Sequence, residues 1–190
     1  MSPGSGPLED RRQALEEQFF QKENERLRDA LREKQESEEG RAALAMACGI
    51  SNDAVLDALE KIGIDAGAMA AFVLVPLVAV AWANGDLEEA ERRAVLDAAA
   101  ETGVERGSDA FGLLEGWLEH APSPSLLRAW LDYTRSLSAE LDTDRRQALK
   151  AELVGRAKQV AEAAGGFLGL TSKTSKKEQE VLDQIEGAFS

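Results

Sequence analysis

AGAMAAFVLVPLVAVAWANGDLEEAERRAVLDAA, residues 66–99, joins an uncharged run to a strongly charged helix through Asn84-Gly85-Asp86. Ala66 to Gly85 is about the length that spans a bilayer. Several features argue against a span. The run is rich in Ala and Gly, Pro76 sits near its middle, and Asn84 lies near its end. Acidic groups flank both sides, Asp65 before and Asp86, Glu88 and Glu89 after, with no basic anchor close by. The expectation is the central helix of a bundle, apolar all round because neighbours cover it. Pro76 lacks an N–H and crowds the preceding turn, so a kink is predicted there.

Downstream, helical patterns follow at regular intervals. One runs from about Asp86 to Glu101 and stops at Gly103; another starts near Ser108 and carries Phe111, Leu114 and Leu118. Ser123 is a good N-cap with Pro124 at the first helical position, and Leu127, Trp130, Leu131 and Leu137 follow. A long helix is expected from about Asp142 to Ala164, and a last one from Ser175. No segment alternates with period two, so the fold class is all-α.

Upstream, the chain divides by composition. Residues 1–7 read as a disordered leader without the apolar stretch of a secretory signal. Residues 8–40 form a highly charged helical arm whose apolar residues are sparse, among them Leu15, Phe19, Phe20, Leu27 and Leu31. A helix without a wide apolar face projects or docks on a partner, and these five residues are the expected contacts. Residues 41–63 form a short helical pair linking the arm to the body, 64–190. The net charge of −13 repels nucleic acid, and no basic patch offsets it. The lone Cys48 cannot form an internal disulfide, which points to a reducing, cytoplasmic setting.

One helix-start phrase recurs: LEEAERRAVL from Leu87, LDTDRRQAL from Leu141 and TSKKEQEVL from Thr174. Ser175 with Glu178 is a capping box; Asp86 with Glu89, or Glu88 with Glu91, would act similarly. Carboxylates favour the positive end of a helix, so the acidic turn has a sufficient structural cause. Its other reading is a hard-cation site built from Asp86, Glu89 and Glu91.

VAVAWANGDLEEAERRAVLDAA, residues 78–99, resembles the signature of the TerB-like tellurite-resistance family. There an apolar helix ends in an Ala-Asp-Gly turn before an acidic helix. GGFLGLTSKTSKKEQEVLDQIEGAF, residues 165–189, is similar to the close of many such proteins. The resemblance covers about 64–189. It implies a compact bundle of about seven helices, a link to tellurite and other chemical stress, and cation binding through acidic residues. Gly85, Asp86 and Glu91 match the motif, whereas Asn84 stands where the family usually has Asp. The arm sequence DRRQALEEQFFQKENERL, from Asp10, is similar to the beginning of zeta-type inhibitor subunits of bacterial ATP synthase. That likeness implies an arm inserting into a larger assembly.

Catalysis finds little support. His120 is the only histidine, at an expected helix C-terminus, and Cys48 sits among alanines as a small hydrophobe. Gly165, Gly166 and Gly169 lack the Lys and Ser/Thr of a phosphate loop. Trp82, Trp117 and Trp130 read as core. The sequence therefore suggests a non-enzymatic, cation-responsive interaction module with no resident cofactor beyond a divalent cation, in a stress-related or envelope-associated assembly. The alternative is a regulator of an ATP-driven machine acting through the arm. A protein partner through the N-terminal helix is expected, without nucleic acid or an integral span.

Overall fold

The computed structural model describes residues 38–164 and 174–190. The arm residues Leu15, Phe19, Phe20, Leu27 and Leu31 lie outside the described residues. Among those described, nine helices and no strand occur: α1 Glu38–Cys48, α2 Asp53–Lys61, α3 Met69–Phe72, α4 Val75–Ala81, α5 Glu89–Glu101, α6 Asp109–Glu119, α7 Pro124–Glu140, α8 Thr143–Ala164 and α9 Lys176–Gly187. The all-α bundle expected from periodicity is present.

The starts follow local chemistry. Asn52 caps α2, its Oδ1 accepting from Ala54 N at 3.1 Å and Val55 N at 3.4 Å. Ser108 caps α6 through Phe111 N at 3.1 Å, and Ser123 caps α7 with Pro124 at the helix start.

The uncharged run departs from a single kinked helix. It divides into α3 and α4, joined at Val73 and Leu74. The reason is Pro76: without an N–H it cannot bond to the Phe72 carbonyl, so the helix stops and restarts with Pro76 in its first turn. Neither half could cross a membrane. Among the described residues no single helix is long and apolar enough to do so, and α1 and α2, which have the composition together, bend by 109°.

Burial of α4 on all sides held: it packs on α5, α7, α8 and α9. Leu77, Val78, Val80 and Ala81 are fully buried. The α1–α2 pair shares this core through Leu44, Cys48, Leu56 and Leu59. Arg41 of α1 also bonds Asp53, Asp57 and Glu60, at 3.0, 2.7 and 2.8 Å, fixing α1 to α2. Trp130 is buried and meets Phe189 edge-on at 6.4 Å. Trp82 and Trp117 are half-buried against the core. The Trp82 indole donates to Trp117 O at 2.9 Å, and Arg92 donates to Leu118 O at 3.1 Å. These two donors satisfy carbonyls at the end of α6 that no intrahelical partner can reach.

Candidate functional site

After α4 the chain must turn to start α5. Trp82 terminates α4, and Gly85 N donates to Trp82 O at 3.0 Å. Gly85 takes φ +103°, a backbone state that disfavours a Cβ. The helix that follows begins at Glu89, three residues after the start near Asp86 expected from the sequence. Glu88, in extended conformation, is the N-cap, and Asp86 lies exposed in the turn. Of the two pairings expected for a capping box, the structure forms Glu88 with Glu91: the Glu91 carboxylate accepts from Glu88 N at 2.9 Å.

The start of α9 repeats this geometry. Ser175 is the N-cap, and Glu178, three residues on, accepts from Ser175 N at 2.6 Å. In return Glu178 N donates to Ser175 Oγ at 3.2 Å. Both glutamates are buried to 2 % exposure, unlike ordinary capping carboxylates at a surface.

Asn84 joins the two starts. Its Nδ2 donates to Glu178 Oε1 at 2.7 Å, and its Oδ1 accepts from Ser175 Oγ at 2.9 Å. The chemistry fixes the amide orientation, because a carboxylate cannot donate. The turn after α4 is thus fastened to the C-terminal helix by a serine, an amide and a carboxylate far apart in sequence. The donors to the two glutamates are neutral: two backbone N–H groups and the amide.

Two buried carboxylates with neutral donors are electrostatically costly. Burial pushes Glu91 up to about 7 from an ordinary 4.5, and the Glu178, Glu88 and Asp86 charges add to the rise. The hydrogen bond from the Glu88 backbone opposes it. Glu91 therefore titrates near neutrality.

The three residues expected to hold a cation have different surroundings. Asp86 is exposed, Glu89 is exposed with Arg93 at 3.7 Å, and Glu91 is buried under its own N-cap. Among the described residues, no three His, Cys, Asp or Glu side chains form a group suited to a metal ion. The carboxylate that approaches Glu91 from another element is Glu178, at the third copy of the phrase. At the second copy, Asp142 bonds Arg145 N at 2.9 Å and remains exposed. Glu178 was legible as a capping residue but not as a neighbour of Glu91. Asn84 stood out only by replacing Asp.

His120 is the exposed residue that closes α6. Cys48 is buried, 3.5 Å from Met69 Sδ, and burial pushes its thiol up to about 11, which disfavours a thiolate. A shallow depression of about 430 Å³ lies between α8 and α9, floored by Ala151, Val154 and Gly155. Its lysines, Lys158 at 3.1 Å and Lys150 at 3.9 Å, share Glu186.

No protein-family model, curated protein or solved structure matches the chain.

Proposed function

We propose that the chain is a TerB-like helical interaction module, acting by binding rather than by chemistry of its own, in a stress-related or envelope-associated assembly. The two stretches that resemble that family, 78–99 and 165–189, lie far apart in sequence. They meet at the Asn84, Ser175 and Glu178 hydrogen bonds, which supports treating them as one functional unit. The observation that carries the binding role is α1. Arg41 anchors it to three carboxylates, yet its outer face leaves Met46 85 % exposed. Met46 does not stand alone: Ala42, Ala43 and Ala47 beside it are also exposed, and a contiguous apolar strip on an anchored helix supports a contact surface. α1 is also the element that the N-terminal segment precedes in sequence, and Leu15 and Phe19 of that segment are the second set of contacts this reading proposes.

Affinity capture from native cells tests this reading with the full chain, Met46→Glu and Leu15→Asp/Phe19→Asp. A partner retained saturably by wild type and lost in both variants is expected. Capture unchanged by both variants would sink the proposal. Recovery of subunits of an ATP-driven machine, lost only in the arm variant, would favour inhibition through the arm.

The cation-responsive part of the reading rests on Glu91 and Glu178, which share one turn under neutral donors. Calorimetry with calcium, magnesium and zinc checks it. A stoichiometric heat that disappears in Asp86→Ala/Glu91→Gln, with a melting temperature raised by cation only in wild type, is the expected signature. Equal responses in both proteins would leave these carboxylates as caps alone.

A further inference from the structure

We propose that Asn84-Gly85 is a self-modification site: the Gly85 backbone nitrogen converts the Asn84 amide to an acid, at a rate set by the hydrogen bonds of Asn84 to Ser175 and Glu178, and the product leaves those bonds open. Asn84 and Gly85 are both exposed in the turn between α4 and α5. Glycine has no side chain to shield its nitrogen, and the space a Cβ would occupy at Gly85 has no neighbouring atom within 4 Å. The turn is therefore open beside that nitrogen. The step needs no reagent but water. The Gly85 nitrogen gives up its proton and attacks Asn84 Cγ. The new N–Cγ bond closes a cyclic imide, the Cγ–Nδ2 bond breaks, and Nδ2 leaves as ammonia. Water then opens the imide to aspartate or to its β-linked isomer.

Two restraints hold the resting turn back. Gly85 N donates to Trp82 O at 3.0 Å, so the nucleophile is engaged. The Asn84 amide is held at both ends: Nδ2 donates to Glu178 Oε1 at 2.7 Å, and Oδ1 accepts from Ser175 Oγ at 2.9 Å. Attack follows local opening of the turn, and these bonds set how often it opens. Afterwards the turn cannot close as before. An ionised acid at 84 has no proton to give Glu178 and places a second charge against that buried carboxylate. The conversion is one-way, and it frees the first turn of α9 from the turn after α4. It stands independently of the partner reading, because every residue it uses belongs to this one turn and helix start.

Peptide mapping by mass spectrometry of the full chain, aged in mildly basic buffer, tests this. Wild type should gain the mass of an amide-to-acid exchange at 84, ahead of Asn52, which precedes Asp53 rather than a glycine. Ser175→Asp keeps an N-cap acceptor for α9 but, ionised, cannot donate to Asn84. It should convert about tenfold faster, the effect of one lost hydrogen bond of ordinary strength. Ser175→Thr keeps the hydroxyl and should convert at the wild-type rate. Converted wild-type chains, separated by their added charge, should exchange the amides of residues 178–182 about tenfold faster than unconverted ones, with α6 unchanged. The inference is overturned by a folded chain that shows no conversion at 84 over a period that converts the urea-unfolded chain, or none ahead of Asn52. Conversion in Ser175→Asp no faster than in wild type overturns it too, as does a Ser175→Thr rate equal to that of Ser175→Asp, which would trace the effect to disturbed packing. Converted chains whose α9 exchanges as before would show that the product does not open the turn, and refute the proposal as well.

Discussion

Replacing Glu91 by Gln should remove the pH dependence that this residue gives the fold. In the folded chain burial holds the Glu91 carboxyl near 7 against an ordinary 4.5. The native state therefore keeps a proton that the unfolded state releases between these values. The contribution to stability is fully present below the unfolded value and is lost as pH rises through the folded one. The gap corresponds to about 3 kcal/mol, at 1.36 kcal/mol for each tenfold change in proton affinity. Asn84 and Asp86 are exposed at the rim, so water screens part of it, leaving about 1–2 kcal/mol. The Gln oxygen can still accept from Glu88 N, so the cap survives while the charge is removed. Urea unfolding at about pH 5 and about pH 8 should show the variant equal to wild type in acid and about 1–2 kcal/mol more stable in base. A difference independent of pH, or a variant less stable at the higher pH, would refute the electrostatic account.

Asn84→Asp should destabilise by about 1–3 kcal/mol at neutral pH, since Glu178 loses a donor and faces another carboxylate, with recovery in acid visible in the same titration. Trp130→Ala should cost about 3–5 kcal/mol by denaturant unfolding, because a fully buried ring leaves a cavity beside Phe189. Ser138 Oγ is buried without a hydrogen-bond partner among the described residues, so Ser138→Ala should be neutral or stabilising by up to about 1 kcal/mol on thermal melting. Arg41→Ala should release α1 from α2, read as faster amide exchange across 41–48 than across α4.

Much of the fold was visible in periodicity and punctuation. Leu114 and Leu118, four apart, both reach the core, and Ser108, Ser123 and Ser175 each cap the helix they precede. Pro76 was correctly read as a disruption but understated. In a run with apolar residues on every side, periodicity cannot show where a helix ends, and only the missing N–H does. The position of α5 was misjudged for a related reason. Asp86, Glu88 and Glu89 are all plausible at a positive helix end. The choice of Glu88 as cap depends on Gly85 and on where the turn leaves the backbone.

The site was legible one helix at a time and no further. Each capping box is local, a matter of three residues, and hence readable. That the two boxes meet at one turn, with both glutamates buried, is a tertiary fact, produced because α4 packs on both α5 and α9. Once it is known, Asn84 acquires a reason that sequence alone did not offer. A carboxylate at that position would add charge to a buried pair that already holds Glu91 near neutrality. An amide supplies a proton to Glu178 and an acceptor to Ser175 from the same side chain. The substitution that weakens the turn as a cation ligand is therefore the one that best closes it as a clasp between helix starts. The Asn84→Asp experiment separates the two roles: it should lower stability without cation, and any calcium-dependent recovery would belong to a site that the wild-type amide suppresses.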